Sequence, residues 1–110
     1  MIIAAGHVYI DPADAEEFVA DVRATYPVVR ANPGNILISF CIDDPAAGRI
    51  TVLEQWDSRE ALERHSLTSE VRALSRKWGS RIRDETHTFH VTDEHDPSEE
   101  PPTPTHLRRP

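Results

Sequence analysis

Histidine is the residue type in this chain that is best suited to acid–base chemistry, because imidazole titrates near neutral pH. Six histidines occur among the 110 residues. His65 ends a polar helical segment, where it is a candidate general base, with a helix-capping or surface role as the alternative. His87 and His90 lie three residues apart on a predicted strand, so their side chains point to opposite faces and cannot bind one metal ion together.

Other catalytic signatures are missing from the sequence. It has no HxxxH pattern, no Cys/His cluster, no glycine-rich phosphate loop and no G-x-S-x-G elbow, so we expect neither a metal site nor nucleotide chemistry. Cys41 is the single cysteine, and its place in an apolar run predicts packing as a small hydrophobe. One unpaired cysteine and an N-terminus without signal-peptide features indicate a cytoplasmic protein.

The charge balance restricts the partners. The chain has 19 acidic against 12 basic residues and a net charge of −7, which repels nucleic-acid phosphates and anionic membranes. No apolar run approaches the length that spans a bilayer. We therefore expect neutral or hydrophobic small molecules as ligands, with no nucleic acid and no membrane as partner.

The first half of the chain predicts a strand, a helix and a second strand. Residues 2–10 are apolar and rich in short or β-branched side chains, which is typical of a strand buried on both faces. Asp11 and Pro12 predict the start of an amphipathic helix that reaches about residue 31, with a kink at Pro27. After the turn Asn32-Pro33-Gly34, residues 35–43 predict a strand with one face formed by Ile36, Ile38, Phe40 and Ile42.

The second half predicts two more strands and two helices. A hairpin loop at 43–48 leads to a strand over 49–56, whose one side carries Ile50, Val52, Glu54 and Trp56. Ser58 is placed to cap a short helix that ends near His65. A second helix with Val71, Leu74 and Trp78 on one face ends at Gly79, and residues 82–91 predict the fourth strand.

This order of elements predicts an α+β fold of the ferredoxin-like, split β-α-β type (β-α-β-β-α-α-β), with a four-stranded antiparallel sheet and the helices on one face. The apolar content suffices for one core, so residues 1–92 form one domain. Residues 93–110 form an acidic, proline-rich tail whose composition is typical of segments that do not fold alone. Because the first two strands are apolar on both faces, we expect a homodimer that covers the bare sheet face.

The string Glu54-Gln55-Trp56 followed by DSREALERH resembles the antibiotic biosynthesis monooxygenase (ABM) family, in which a strand ends in E-x-W before an xALxxH helix. The Asn32-Pro33-Gly34 turn and the Asp-Pro after the first strand also match, and the resemblance spans about residues 2–91. It implies a dimeric α+β barrel with a pocket between sheet and helices. It also implies one of several roles: cofactor-free oxygenation of aromatic polyketide quinols or anthrones, quinol oxidation, haem degradation, or none demonstrated.

Cofactor-independent oxygenation is the function that we expect, with an aromatic substrate and O₂ as reactants and no flavin, metal or haem. It requires an apolar cavity, a base that favours the phenolate, and exclusion of water. The resemblance suggests Trp56, His65 and Arg72 as catalytic residues, although Trp56 could equally close the core and a helical arginine is usually solvated. The positions expected to contact substrate are Trp56, Trp78, Phe40, Val52, His7 and Arg76, the last being the alternative to Arg72.

Some positions depart from the family pattern. Val52 stands where polyketide oxygenases carry a pocket asparagine, which weakens the transfer of their mechanism. His7 lies where the haem-degrading branch has an asparagine, and Ser75 and Arg76 lie near the place of its haem-ligating histidine. Haem degradation is therefore disfavoured. The alternative from another class is a noncatalytic dimeric module that binds a small ligand or a partner protein.

Overall fold

The sheet has four strands in a computed structural model that describes residues 1–99. The strands are β1 (Ile2–Ile10), β2 (Asn35–Asp44), β3 (Arg49–Trp56) and β4 (Ile82–His90). They are ordered β2-β3-β1-β4, and each neighbouring pair is antiparallel. Because β3 lies between β1 and β2, the first connection is a split β-α-β unit, and the predicted ferredoxin-like fold is confirmed.

Four helices accompany the sheet: α1 (Ala15–Ala24), α2 (Tyr26–Ala31), α3 (Arg59–Ser66) and α4 (Ser69–Trp78). The prediction of one long first helix was wrong, because α1 ends before Thr25 and α2 begins at Tyr26. Pro27 is near the first position of α2, where its missing N–H leaves no helical hydrogen bond unmade. Asp11 does act as a cap, since its carboxylate accepts a hydrogen bond from the backbone N–H of Ala13 at 2.9 Å.

The core lies between one face of the sheet and the helices. Alternate residues of β1 and β3 point to this side, as the period of two requires. One cluster joins the sheet to α1 and α4, and its larger members are Val8, Ile10, Ile50, Val52, Phe18, Val22 and Trp78. A second, smaller cluster contains Trp56, Val29, Ile38 and Ala61. Two clusters meeting over one sheet make a continuous apolar layer beneath the helices.

The other face of the sheet is not covered by any described element. Leu37, Leu53 and Phe89 point to this open face with 39%, 37% and 53% of their surfaces exposed. Register places Ile3 between Gln55 and Phe89, and Ala5 beside Leu53, so these apolar side chains adjoin one another. The patch is the bare face that the sequence pattern predicted.

Two predictions about β2 were wrong. Ile36 does not share the buried face with Ile38, because the register shifts between Asn35 and Leu37 and leaves Ile36 55% exposed. Cys41 is exposed on the open face instead of packed, with its sulfur 3.7 Å from Nη2 of Arg23. Hydrogen bonds lower the pKa of this thiol, and the one with Ser39 has a larger effect than the one from Arg23.

The predicted C-terminal tail, residues 93–110, is only partly described. Beyond β4 the described chain continues to residue 99, ending in a short 3₁₀ turn at Pro97–Glu99. The remainder of the predicted tail, residues 100–110, lies outside the described residues. No helix within residues 1–99 is long and apolar enough to cross a membrane.

Candidate functional site

A cavity of about 240 Å³ lies between the sheet and the helices. Its floor is formed by residues of all four strands and its roof by α1 and α4, while His65 enters from α3. Most of the lining is apolar or aromatic, which is typical of small-molecule pockets. The lining includes Val8, Phe18, Val22, Ile38, Phe40, Val52, Val71, Leu74, Trp78 and Ile82, together with the polar residues Thr25, Glu54, His65, Ser75, Asp84 and Thr86.

The cavity opens between α4 and the edge strand β4. Ser75 and Gly79 on the helix side and Asp84 on the strand side are lining residues that are also exposed. β4 is the last strand in the sheet order, so no further strand of residues 1–99 covers this side. A ligand can therefore enter at this edge without any rearrangement of the sheet.

Glu54 and His65 form a buried polar pair in the cavity wall. Oε1 of Glu54 lies 3.8 Å from Nε2 of His65, and only 14% and 10% of the two side chains are exposed. Trp56 supports both groups: its indole N–H donates to Oε1 of Glu54 at 3.2 Å, and its ring is stacked on the imidazole with centroids 4.6 Å apart. The other imidazole nitrogen, Nδ1 of His65, is buried without a hydrogen-bond partner within the described chain.

Burial shifts the pKa values of this pair in opposite directions. Desolvation raises the pKa of Glu54 above its ordinary value, and the nearby charge of Asp84 raises it further, although the hydrogen bond from Trp56 acts against this. Desolvation lowers the pKa of His65. Both shifts favour the neutral forms, so the imidazole is available to accept a proton at neutral pH.

This arrangement suits proton removal from a ring hydroxyl. Nδ1 of His65 is fully buried, so a ligand in the cavity contacts other atoms of the imidazole. A ring hydroxyl beside the Glu54–His65 pair could lose its proton to the pair, and Glu54 as a carboxylate would stabilise the imidazolium that forms. No group of three His, Cys, Asp or Glu side chains that could hold a metal ion occurs in residues 1–99.

The structure brings four of the residues expected from the sequence into the cavity lining. These are His65, Phe40, Val52 and Trp78. Trp56 lies behind the lining, with none of its surface exposed, and holds Glu54 and His65 in place. Its role in this geometry is support for the polar pair.

The structure does not bring Arg72, Arg76 or His7 into the cavity. The two arginines are exposed on α4, whose cavity side carries Val71, Leu74, Ser75 and Trp78. At 100° per residue, Arg76 falls on the far side of the helix and Arg72 on its flank. His7 belongs to the open sheet face, where its Nε2 lies 3.5 Å from a carboxylate oxygen of Asp43.

Glu54 is the functional residue that the sequence reasoning did not single out. It shares a face of β3 with Ile50, Val52 and Trp56, all of which are buried. A carboxylate placed among core positions is expensive to bury and is rarely there without a partner or a function. That alternation was visible in the sequence and is the signal that could have identified it.

The chain belongs to the ABM family. The family profile of antibiotic biosynthesis monooxygenases matches residues 1–77, which include the whole E-x-W strand and the helix after it. This confirms the resemblance inferred from the E-x-W motif. No curated protein matches the chain.

Solved structures share the fold at low sequence identity. A structure named antibiotic biosynthesis monooxygenase has 18% identity and a TM-score of 0.69, with 86% of this chain and 100% of that one covered. A Nitrosomonas europaea protein provisionally given the same name has 15% identity and a TM-score of 0.73, covering 84% and 100%. The protein PA3566 from Pseudomonas aeruginosa has 22% identity and a TM-score of 0.71, covering 84% and 94%. At these identities the likeness shows the fold alone.

Proposed function

We propose that this protein is a cofactor-independent oxygenase of a small aromatic quinol. The observation that carries the proposal is the mostly apolar cavity whose wall contains the buried pair of Glu54 and His65. Such a cavity provides the three requirements of the reaction: a place for an aromatic ring, a base, and little water.

The reaction begins with removal of a phenolic proton by the buried Glu54–His65 pair. Above its raised pKa Glu54 is a carboxylate, which stabilises an imidazolium at His65 through Nε2. The quinol anion then reduces O₂: one oxygen atom bonds to a ring carbon, and the other leaves as water with the two hydrogens that the substrate loses. The products are a hydroxyquinone and water, so the substrate supplies all the electrons.

The volume of the cavity favours a substrate of one or two rings. It is about 240 Å³, compared with roughly 150 Å³ for an engineered cavity that binds benzene. A three-ring anthrone would have to extend through the mouth between α4 and β4. We therefore place one-ring and two-ring quinols ahead of polyketide anthrones.

The open cavity also favours an enzyme over a noncatalytic binding module. A module that binds partners through its surface needs no cavity and has no use for a carboxylate in the core. Glu54 is instead kept buried at a free-energy cost, and such a cost is commonly found where a group has a chemical role.

We further propose that the protein acts as a homodimer joined through the open sheet face. The patch around Ile3, Leu37, Leu53 and Phe89 is apolar and partly exposed, and the same patch of a second copy could cover it in a twofold interface. The cytoplasm is the proposed location, because a single cysteine suits a reducing compartment.

Oxygen consumption tests the proposed function. Purified protein is mixed with hydroquinone, naphthalene-1,4-diol and an anthrone, and O₂ uptake is followed above the uncatalysed rate. We expect catalysis with the two quinols, and ¹⁸O₂ should place one labelled atom in the product. Uptake equal to the uncatalysed rate for every substrate, or a product without label, would contradict the proposal.

A further inference from the structure

The ionisable groups that line the cavity include acids and no strong bases. Glu54 lies in the interior and Asp84 at the mouth, while neither lysine nor arginine belongs to the lining within residues 1–99. The two arginines of α4 closest in sequence to the lining, Arg72 and Arg76, are exposed outside it. An anionic ligand would therefore find no cationic partner in the cavity wall.

Asp84 is held in place at the mouth. One of its carboxylate oxygens, Oδ1, accepts hydrogen bonds from the backbone N–H of Thr86 at 2.8 Å and from the Thr86 hydroxyl at 2.6 Å. Both Asp84 and Thr86 line the cavity, so the carboxylate is fixed on its wall. Its charge acts across the cavity, because it adds to the effect of burial in raising the pKa of Glu54.

The buried pair of Glu54 and His65 lies in the interior of this mostly apolar cavity, with 14% and 10% of the two side chains exposed. An apolar cavity with a few converging polar groups is typical of a small-molecule site. A ligand that fills it comes close to Glu54 and enters past Asp84. Any charge on the ligand is then exposed to two carboxyl groups in a poorly solvated space.

We propose that Asp84 is a specificity-determining residue that admits uncharged hydroxyarenes and rejects those with a carboxylate or sulfonate on the ring. The class of ring compound rests on the proposed function, whereas the charge selection rests on the lining itself. Juxtaposed like charges disfavour a complex strongly where water is excluded. Asp84 adds this repulsion at the entrance, so discrimination depends on its charge more than on its size.

Two ligands of nearly equal shape test the proposal: 2,5-dihydroxybenzamide, which is neutral, and 2,5-dihydroxybenzoate, which is anionic. Their dissociation constants are measured by calorimetry without O₂, so that no oxidation is required. We expect the wild-type protein to prefer the amide by about tenfold or more. Asp84→Asn keeps an oxygen that can accept from Thr86, and it should reduce the preference by about threefold or more.

Glu63→Gln is the matched control, because Glu63 is exposed on α3 outside the cavity lining and its substitution changes the net charge by the same amount. It should leave the preference unchanged. Equal affinities for the two ligands, no binding of either, or equal effects of Asp84→Asn and Glu63→Gln would overturn the inference. Charge-selective binding without any oxygen consumption would support this inference while contradicting the oxygenase proposal.

Discussion

The buried pair of Glu54 and His65 determines what this cavity can do. The two side chains are 3.8 Å apart at their closest oxygen and nitrogen, and Trp56 contacts both. Burial opposes the charged form of each residue, so the two do not form a strong ion pair in the protein without ligand. In the proposed reaction, His65 becomes charged only when it takes a proton from a ligand.

Replacing Glu54 should alter stability in a pH-dependent way. Below the ordinary glutamate pKa of 4.5 the carboxyl is neutral in the folded and unfolded chains, and its burial carries no ionisation penalty. As pH rises from 4.5 towards the raised pKa of the folded state, the carboxyl ionises in the unfolded chain while the buried one stays protonated, so the folded state loses stability until that raised pKa is passed. Glu54→Gln should therefore gain stability over wild type as pH rises from 4 to 8, as measured by urea unfolding.

The gain for Glu54→Gln must grow with pH to agree with this account. Glu63→Gln on the exposed side of α3 controls for the change in net charge. A stability difference between Glu54→Gln and wild type that stays constant or shrinks with rising pH would show that Glu54 is not desolvated in solution.

His65→Gln should remove the base while keeping a polar side chain of moderate size. Loss of a general base typically lowers the rate by about 10²-fold to 10⁴-fold. We expect kcat for quinol oxidation to fall by about 10²-fold or more, with a much smaller change in KM, in steady-state O₂ uptake. If KM rises while kcat is retained, His65 binds the substrate but does not take its proton.

At the residue scale, half of the side chains that the sequence suggested for the site line the cavity. They are His65, which was predicted as a base, and Phe40, Val52 and Trp78, which were predicted to contact substrate. Arg72 was assigned to the site by the family resemblance, with a gap in the spacing. That assignment did not consider which side of α4 faces the sheet. Asp84 could not be found in this way, because the pattern of β4 alternates too weakly to fix its faces.

Among the elements, α4 is the one on which the cavity depends most. Its last residue, Trp78, forms part of the wall, and its indole N–H donates to Oδ2 of Asp21 on α1 at 2.9 Å. Lys77 donates to the same oxygen at 2.8 Å, and the ring of Phe18 meets Trp78 edge to face at 5.4 Å. These contacts hold α4 against α1, and the two helices together form the roof of the cavity.

Asp21→Ala should loosen this roof. The variant leaves the indole N–H of Trp78 without its partner, and we expect a loss of about 1 kcal/mol in the free energy of unfolding, together with a raised KM for quinols. Urea unfolding and O₂ uptake measure the two effects. Glu17→Ala is the control, since Glu17 is an exposed partner of Lys77 at 3.4 Å that does not reach Trp78. Equal effects of the two substitutions would contradict a special role for Asp21.

The order and type of the strands and helices could be predicted from the sequence, because the apolar periods and the turn residues agree along the chain. The failures were local and have identifiable causes. The first helix divides at Thr25, because Pro27 is accommodated more easily at the start of a new helix than within one. Ile36 left its predicted face because a one-residue register shift reverses the direction of a side chain.

For the whole molecule, the open sheet face makes association the main expectation beyond the single chain. The apolar patch lies at one end of the open sheet face, on neighbouring strands. The other end is polar, and there Nε of Arg49 lies 2.7 Å from Oδ1 of Asp43. A second copy related by a twofold axis would cover the apolar patch and leave the polar end at the rim of the interface. This dimer stays a prediction from patterning, since alternation along a strand identifies a bare face without identifying its cover.

Leu53→Lys should disrupt the dimer, because a lysine in the middle of the patch would have to be buried without a partner. Light scattering coupled to gel filtration should show a dimer for wild type and a monomer for the variant. Leu67→Lys is the matched control: Leu67 is 65% exposed at the end of α3, away from the sheet. A wild-type monomer, or a Leu53→Lys dimer of unchanged stability, would refute association through this face.

The pH dependence of kcat/KM for a quinol, measured by O₂ consumption in wild type and in Glu54→Gln, tests the central claim most directly. We predict that the wild-type rate falls on the acid side through a pKa above the ordinary glutamate value, as the raised pKa of Glu54 requires. Glu54→Gln should lose about 10²-fold of the rate at neutral pH. An unchanged rate and pH profile in this folded variant would show that the buried pair does not take the proton.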